Sequence, residues 1–245
     1  MSAVFLFRKD AILMLAFLSS NSPEILTKTL SQRGIPVVTL PPFSLLQKPV
    51  ASHADMLLLA CEKTLFVHKD YAFSSSEALK NAFGDTVFID EPISSEYPHD
   101  ILLNIAIVGG EVFANVNFAS KTVLSFLEKQ GKRIHNVKQG YAHCSTCIVN
   151  DKAIITADVG IANAAQKAGI DVLKISSGNI SLSGYDHGFI GGASGYDSKH
   201  VYFCGSLEFH PDGESIKSFC QKHGKIVVEL SSSPLVDVGG ILFVE

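Results

Sequence analysis

The stretch Ala153-Ile-Ile-Thr-Ala157 is a short apolar strand, and four other stretches of the chain have the same character. The five are Ala11-Ile-Leu-Met-Leu15, Thr64-Leu-Phe-Val-His68, Val112-Phe-Ala-Asn-Val116, Ala153-Ile-Ile-Thr-Ala157 and Val201-Tyr-Phe-Cys-Gly205. Their starts lie 53, 48, 41 and 48 residues apart, and another 55 residues lead from the last one, through the C-terminus, to the first. A repeat of this length is typical of propellers, solenoids and repeat arrays.

Each strand belongs to a unit with one order of elements: a first strand, a turn, the quoted second strand, a helix and a return strand. Apolar residues three and four apart predict helices over residues 23–30, 75–83, 121–129, 160–168 and 213–220. Return strands are predicted over residues 37–40, 87–89, 133–137, 172–175 and 226–230. New first strands are predicted to begin near residues 53, 98, 143, 189 and 237, and a hairpin over 4–7 and 11–17 opens the chain.

The two ends of this pattern complete each other. The last predicted strand, 237–244, has no hairpin partner after it, and the N-terminal hairpin has no strand before it. Ring closure would satisfy both and would remove exposed sheet edges. We therefore predict the α/β class and a five-bladed α/β propeller of ββαβ repeats, as a single domain over 1–245. Its blades are roughly 1–52 plus 237–245, 53–97, 98–142, 143–187 and 188–236, with the C-terminal strand closing the first blade. The alternative is an open, doubly wound sheet, but its crossovers carry no hairpin before each helix.

Composition narrows the possible partners. A hydrophobic fraction of 47% and a mean hydropathy of +0.25 exclude global disorder. The net charge of −4 provides no basic surface for nucleic acid and favours a small cation as ligand.

The apolar run 4–18 is interrupted by Arg8-Lys9-Asp10, which indicates a charged turn and not a signal peptide. No stretch is long enough for a membrane span, and the five cysteines are expected to be free thiols in a reducing cytoplasm. We expect a cytoplasmic monomer or homodimer.

Polar residues recur where the first strands begin, and in a ring these positions converge on the axis. They are His53, Asp55, Asp100, Cys144 and Asp237, and the glycine pair Gly191 and Gly192 stands at the corresponding point of another unit. A histidine, a cysteine and several carboxylates that face one cavity form a candidate nucleophilic site.

Three of these segments resemble the motifs of the penteins. His53-Ala-Asp55 is similar to their His-x-Asp strand, His143-Cys144-Ser-Thr146 to their nucleophile segment, and Asp237-Val-Gly239-Gly240 to their acidic strand with two glycines. The catalytic penteins are guanidino-group-modifying enzymes: arginine and agmatine deiminases, dimethylarginine hydrolases, peptidylarginine deiminases and amidinotransferases. The chain is also similar to an uncharacterised bacterial family of this fold. The motif order differs from that of the classical enzymes by a circular permutation, which keeps the cyclic arrangement in a closed ring.

The resemblance implies roles for individual residues. Cys144 would be the nucleophile, His53 the general acid and base, and Asp237 the third catalytic residue, which with Asp55 would bind the guanidinium. Asp186 stands where a further substrate-binding aspartate is expected. Other candidate substrate-binding residues are Asp100, Asn179, Gly191, Gly192, Gly239 and Gly240. The implied activity is a hydrolase of the deiminase type that acts on a small cationic guanidino or amidine compound through an amidino-cysteine intermediate. Transfer of the amidino group to an amine is the alternative reaction. It would need no cofactor and no metal.

Simpler interpretations of these residues stay open. Cys144 could be a small buried hydrophobe, or with Cys147 a C-x-x-C redox or zinc motif. His53 could cap a loop, and Asp237 could be structural. The glycine-rich loop 176–195 could bind phosphate, although it fits neither phosphate-loop pattern; covering the mouth of the cavity is the preferred interpretation. The alternative function is a non-catalytic pentein-fold protein that binds a small ligand or a macromolecular partner.

Overall fold

The repeats form five small sheets of three strands each. A computed structural model describes residues 14–71 and 85–244. The first blade contains β1 Leu15–Ser19, β2 Val37–Leu40 and β15 Leu242–Val244, and the second contains β3 Leu58–Cys61, β4 Thr64–His68 and β5 Asp85–Ile89. The third blade contains β6 Ala106–Val108, β7 Glu111–Ala114 and β8 Arg133–Asn136, and the fourth contains β9 Cys147–Asn150, β10 Ala153–Thr156 and β11 Asp171–Lys174. The fifth contains β12 Ser194–Tyr196, β13 His200–Phe203 and β14 Ile226–Glu229.

Every blade has the same pairing. Its middle strand is antiparallel to one neighbour, across the hairpin, and parallel to the return strand that follows the helix. In the first blade the antiparallel neighbour is β15 at the C-terminus, where Leu15 pairs with Val244 and Phe17 with Leu242. The predicted closure of the first blade by the last strand is therefore confirmed.

Helices connect the middle strand to the return strand. They are α1 Glu24–Gln32, α3 Lys121–Lys129, α4 Val159–Lys167 and α5 Gly213–Lys222; a single turn, α2 Ala54–Leu57, precedes β3, and a 3₁₀ turn covers Leu207–Phe209. Ser120 and Asp158 cap α3 and α4, because their side chains accept hydrogen bonds from the amides of Val123 and Ile161. The predicted helix 75–83 and the strand 4–7 lie outside the described residues. Within that part of the chain, no helix is both long and apolar enough to cross a membrane.

The hydrophobic core is divided into five clusters, one between each pair of successive blades. The cluster between the fifth and first blades shows that the ring closes. It joins Ala16 and Leu18 of β1 to Tyr202 and Val228 of the fifth blade. Buried faces of the helices contribute to the clusters; Leu26 and Leu30 of α1, for example, are also in this one.

The segments at the centre of the ring are turns, and not the strand starts that we predicted. His53 follows a turn over 48–52 and directly precedes α2, so β3 begins only at Leu58, and Cys144 lies in a turn before β9 begins at Cys147. The first strands predicted near residues 98, 189 and 237 begin at Ala106, Ser194 and Leu242. The reason is that the backbones here bond across the hub. The amide of Asp55 donates to the carbonyl of Gly239, and that of Gly192 donates to the carbonyl of Cys144. These groups are thus unavailable to a sheet ladder.

Candidate active site

The hub turns bring the three predicted catalytic residues to one cavity. It has a volume of about 240 Å³, and His53, Cys144 and Asp237 all line it. The three residues come from turns before the first strands of three different blades. Because all three side chains are almost fully buried, the cavity that they line is a low-dielectric environment in which charges interact strongly.

The sulfur of Cys144 lies between a carboxylate and an amide. Its thiol donates to Oδ2 of Asp55 over 2.7 Å, and Nδ2 of Asn104 donates to Sγ over 3.0 Å. Burial, followed by the negative charges of Asp55 and Asp237, raises the pKa of this thiol well above its ordinary value, and the bond from Asn104 acts in the opposite sense. Without a ligand the sulfur is therefore a protonated thiol, and a bound cation would favour the thiolate.

Asn104 is a site residue that the sequence analysis missed. Its Oδ1 accepts hydrogen bonds from the amides of His143 (2.8 Å) and Cys144 (3.2 Å), so one side chain positions both the backbone and the sulfur. Asn104 is itself buried. A signal for it existed, because it is the only polar residue in the run 101–108, and a buried amide has to find partners.

His53 and Asp237 form the second half of the site. Nδ1 of the imidazole lies 3.9 Å from Oδ1 of the carboxylate, an ion-pair separation longer than a hydrogen bond. Burial lowers the pKa of His53, and the negative charge of Asp55 opposes that shift. Burial and the charge of Asp55 raise the pKa of Asp237 to about 7, against hydrogen bonds from the amides of Phe189 and Gly239.

The simpler roles considered for these residues are partly present. His53 occupies the N-terminal position of α2, yet its side chain makes no capping hydrogen bond. Asp237 does have a structural role, since it bonds two backbone amides. Cys147 packs in the core between the fourth and fifth blades, and both it and Cys144 are free thiols. Among the residues described, no cluster of three or more His, Cys, Asp or Glu is arranged to bind a metal ion.

Asp55 and His143 connect the thiol to the opposite face of the ring. Both line a larger cavity there, of about 1070 Å³. Nδ1 of His143 lies 3.7 Å from Oδ2 of Asp55. Oδ1 of Asp55 and Nδ1 of His143 are buried and have no hydrogen-bond partner within the described part of the chain. Asp55 therefore lies between this cavity and the sulfur that lines the smaller one.

The other predicted acidic residues lie at different depths. Asp186 lines the cavity but is exposed, so it lies at the mouth. Asp100 is buried and does not line the cavity; its Oδ2 accepts a hydrogen bond of 2.6 Å from the hydroxyl of Tyr141, which does. Asn179 is exposed in a left-handed turn (φ +60°) and is also not one of the residues that line the cavity.

The four predicted glycines do not line the cavity with Cys144; they allow the hub turns to pack closely. A Cβ on Gly191 would lie 2.3 Å from the carbonyl oxygen of His143, and one on Gly192 would lie 2.1 Å from Oδ1 of Asp237. A Cβ on Gly239 would lie 2.1 Å from Cβ of His53, whereas Gly240 has only ordinary contacts but a φ of +73°. The first three glycines have a packing role, because a side chain there would displace the site residues. Contact of the four glycines with a substrate stays a prediction.

Aromatic residues form much of the cavity wall and were not predicted. Tyr141 and Phe189 have ring centroids 6.1 Å apart. Tyr185 also lines the cavity, and its hydroxyl donates to Oε1 of Gln47 over 3.3 Å. Leu182, Tyr185 and Phe189 all belong to the glycine-rich loop 176–195, so this loop does border the cavity, as the sequence suggested.

Comparison with known proteins places the fold. A family model described as a family of unknown function (DUF6873) matches residues 17–242, whereas no curated protein matches the chain. A dimethylarginine dimethylaminohydrolase has a similar structure, with a TM-score of 0.55 and 10% identity over 89% of this chain and 92% of that one. The amidinotransferase SxtG from Microseira wollei gives a TM-score of 0.57 and 12% identity over 95% and 94%. The agmatine deiminase from C. jejuni gives 0.53 and 10% over 91% and 90%. These structures are penteins, and the likeness confirms that the chain has the five-bladed pentein fold.

Proposed function

We propose that this chain, which belongs to the family of unknown function DUF6873, is a cysteine-dependent enzyme acting on a small guanidino or amidine compound. The observation that carries this proposal is the position of the Cys144 sulfur. It lies 2.7 Å from a buried carboxylate and lines the same cavity as His53 and Asp237. The likeness to a dimethylarginine dimethylaminohydrolase, an amidinotransferase and an agmatine deiminase supports the same class of substrate.

The negative charges of the site favour a cationic substrate, and the bound cation would itself activate the thiol of Cys144. A guanidinium is planar and carries its charge on several N–H groups, which pair well with carboxylates in a dry cavity. Asp55 and Asp237 both raise the pKa of the thiol while no cation is present. A guanidinium bound beside the sulfur and Asp237 would offset that effect, so the thiolate would form when the substrate arrives.

In the proposed reaction, Cys144 loses its proton to His53 and the thiolate attacks the central carbon of the guanidinium. Because Nδ1 of His53 faces Asp237, Nε2 is the nitrogen that would accept and donate these protons. His53 returns the proton to the departing amine as its C–N bond breaks, which leaves an amidino group on sulfur. His53 then takes a proton from water, whose oxygen attacks the same carbon, and the C–S bond breaks to release a urea-type product and the thiol. Positioned acid–base catalysis of this kind contributes roughly 10²–10⁴ in rate.

The test compares 2-chloroacetamidine with 2-chloroacetamide, which is nearly the same size but uncharged. We expect one adduct at pH 7, located on Cys144 by mass spectrometry, and faster labelling by the amidine. Cys144→Ser should abolish the adduct. Cys61→Ser is the matched control, since Cys61 is a free buried thiol outside the cavity, and it should change nothing.

Two results would contradict the proposal. One is slow labelling of all five cysteines at similar rates. The other is a single adduct that forms without preference for the charged reagent. Either result would favour a pentein-fold protein that binds a ligand without this chemistry.

A further inference from the structure

The cavity over Cys144 has an unbalanced charge. Asp237 lies deep within it and Asp186 at its mouth, and no described residue that lines it is a lysine or an arginine. Of the two lining histidines, one has a lowered pKa and the other has both ring nitrogens engaged by protein groups. Burial lowers the pKa of His53. Both ring nitrogens of His187 lie near other protein groups, at 3.0 Å from the carbonyl of Gly188 and 3.3 Å from Oγ of Ser177. A carboxylate on the substrate would thus meet acidic side chains and no lysine or arginine among the described lining residues.

The rest of the wall is apolar or aromatic. Val50, Met56 and Leu182 provide aliphatic surface, and the rings of Tyr141, Tyr185 and Phe189 complete it. Aromatic faces attract cations and also pack against alkyl chains. The volume of about 240 Å³ equals that of roughly eight water molecules at about 30 Å³ each in the liquid, which suits a small ligand.

We propose that the substrate is a guanidine or amidine that carries a short alkyl or aryl substituent and no carboxylate. This inference rests on the proposed function and narrows it, because it excludes guanidino acids and free amino acids such as arginine. The selection arises from charge. An anionic group would pass Asp186 at the mouth and would lie beside Asp237, which gains a negative charge as it ionises near pH 7. It would meet no lysine or arginine among the described lining residues, and like charges placed together disfavour binding.

The experiment uses the wild-type protein and three compounds of similar length. These are n-butylguanidine, 4-guanidinobutanamide and 4-guanidinobutanoate. The last two have the same chain, which ends in a neutral amide in one and in a carboxylate in the other. We expect kcat/KM for the acid to be lower than for the amide by roughly 100-fold, the scale of a few kcal/mol of like-charge repulsion. Asp186→Asn should reduce this difference in kcat/KM. Because Asp186 is exposed, the variant should fold like the wild-type protein.

Turnover and affinity together separate the two proposals. Equal or faster turnover of the acid would overturn the inference and leave the proposed function intact. If no compound is consumed and Cys144 is not labelled, the proposed function fails, and calorimetric affinities then decide the inference. Tighter binding of the amide would support it, and equal or tighter binding of the acid would refute it.

Discussion

Replacing Asp55 by asparagine should change the reactivity of Cys144 in opposite directions for two reagents. The substitution keeps the shape of the side chain and removes a negative charge whose Oδ2 lies 2.7 Å from Sγ. That charge raises the pKa of the thiol, so its loss should increase the thiolate fraction and accelerate labelling by uncharged 2-chloroacetamide. The same charge would attract an amidinium, so cationic 2-chloroacetamidine should lose its advantage.

The magnitude follows from Coulomb's law. Two unit charges about 4 Å apart interact by about 4 kcal/mol at an effective dielectric constant near 20. The amide dipole that replaces the carboxylate recovers part of this energy, so the loss of the charge lowers the pKa of the thiol by only part of that free energy. Labelling by chloroacetamide at pH 7 should then rise by about 10- to 100-fold, and the ratio of amidine to amide rates should fall by at least as much. Folding should not suffer, because the substitution removes a buried charge whose Oδ1 has no partner among the described residues.

Intact-mass kinetics from pH 6 to pH 9 would measure both rates for each protein. Asp90→Asn is the matched control, since Asp90 is exposed, pairs with Lys69 and lies outside the cavity. An unchanged ratio in the Asp55 variant, or a slower reaction with chloroacetamide, would refute the idea that this carboxylate both suppresses the free thiol and binds the cation.

Two other predictions concern stability. Gly239→Ala should lower the melting temperature far more than Gly224→Ala: both glycines have φ above +70°, but only the first would place a Cβ against His53. The Gly224 variant should cost about 1–2 kcal/mol, the usual price of a left-handed alanine, and similar losses in the two variants would argue against crowding at the hub. The pKa of Asp237, raised to about 7 by burial, lies above about 3.9 for an unfolded aspartate. The folded state therefore retains this proton longer, and stability should fall as pH rises from about 4 to 7. Asp237→Asn should remove that part of the fall, up to roughly 3 kcal/mol between pH 5 and pH 8, as measured by urea unfolding; parallel curves for the two proteins would contradict the shift.

Much of the fold was predictable because the same local sequence patterns recur in each blade. Spacing of apolar residues, helix caps such as Ser120 and the five short strands located most elements to within a few residues. The unpaired last strand also predicted ring closure, since a strand without a neighbour leaves backbone groups unsatisfied. The boundaries failed at all five predicted first strands, near residues 53, 98, 143, 189 and 237, each of which begins four to eight residues later. Hydrogen bonds across the hub, such as that from Asp55 to Gly239, replace the sheet ladder there.

The site was predictable only in part. Cys144, His53 and Asp237 stand at equivalent points of the repeat, and the structure does bring them to one cavity. Asn104 was missed because the first strand of its blade was predicted to begin near residue 98, whereas β6 begins at Ala106. Its partner Cys144 lies 40 residues away, before the first strand of the next blade. The aromatic wall was missed because no pattern in the sequence indicated that Tyr141, Tyr185 and Phe189 line one cavity.

The order and periodicity of the residues were enough to predict a closed ring of five blades. Four blades are formed by contacts within some 50 residues, and the first is completed by the last strand, which has no partner after it. Only the tertiary structure decided what each polar hub residue does. Whether a residue there binds, packs or bonds to a neighbour depends on which turn lies opposite it, as Gly192 against Asp237 and Asp55 against Cys144 demonstrate. Those contacts join segments 45 and 89 residues apart, and local sequence does not encode the distance or direction of so remote a partner.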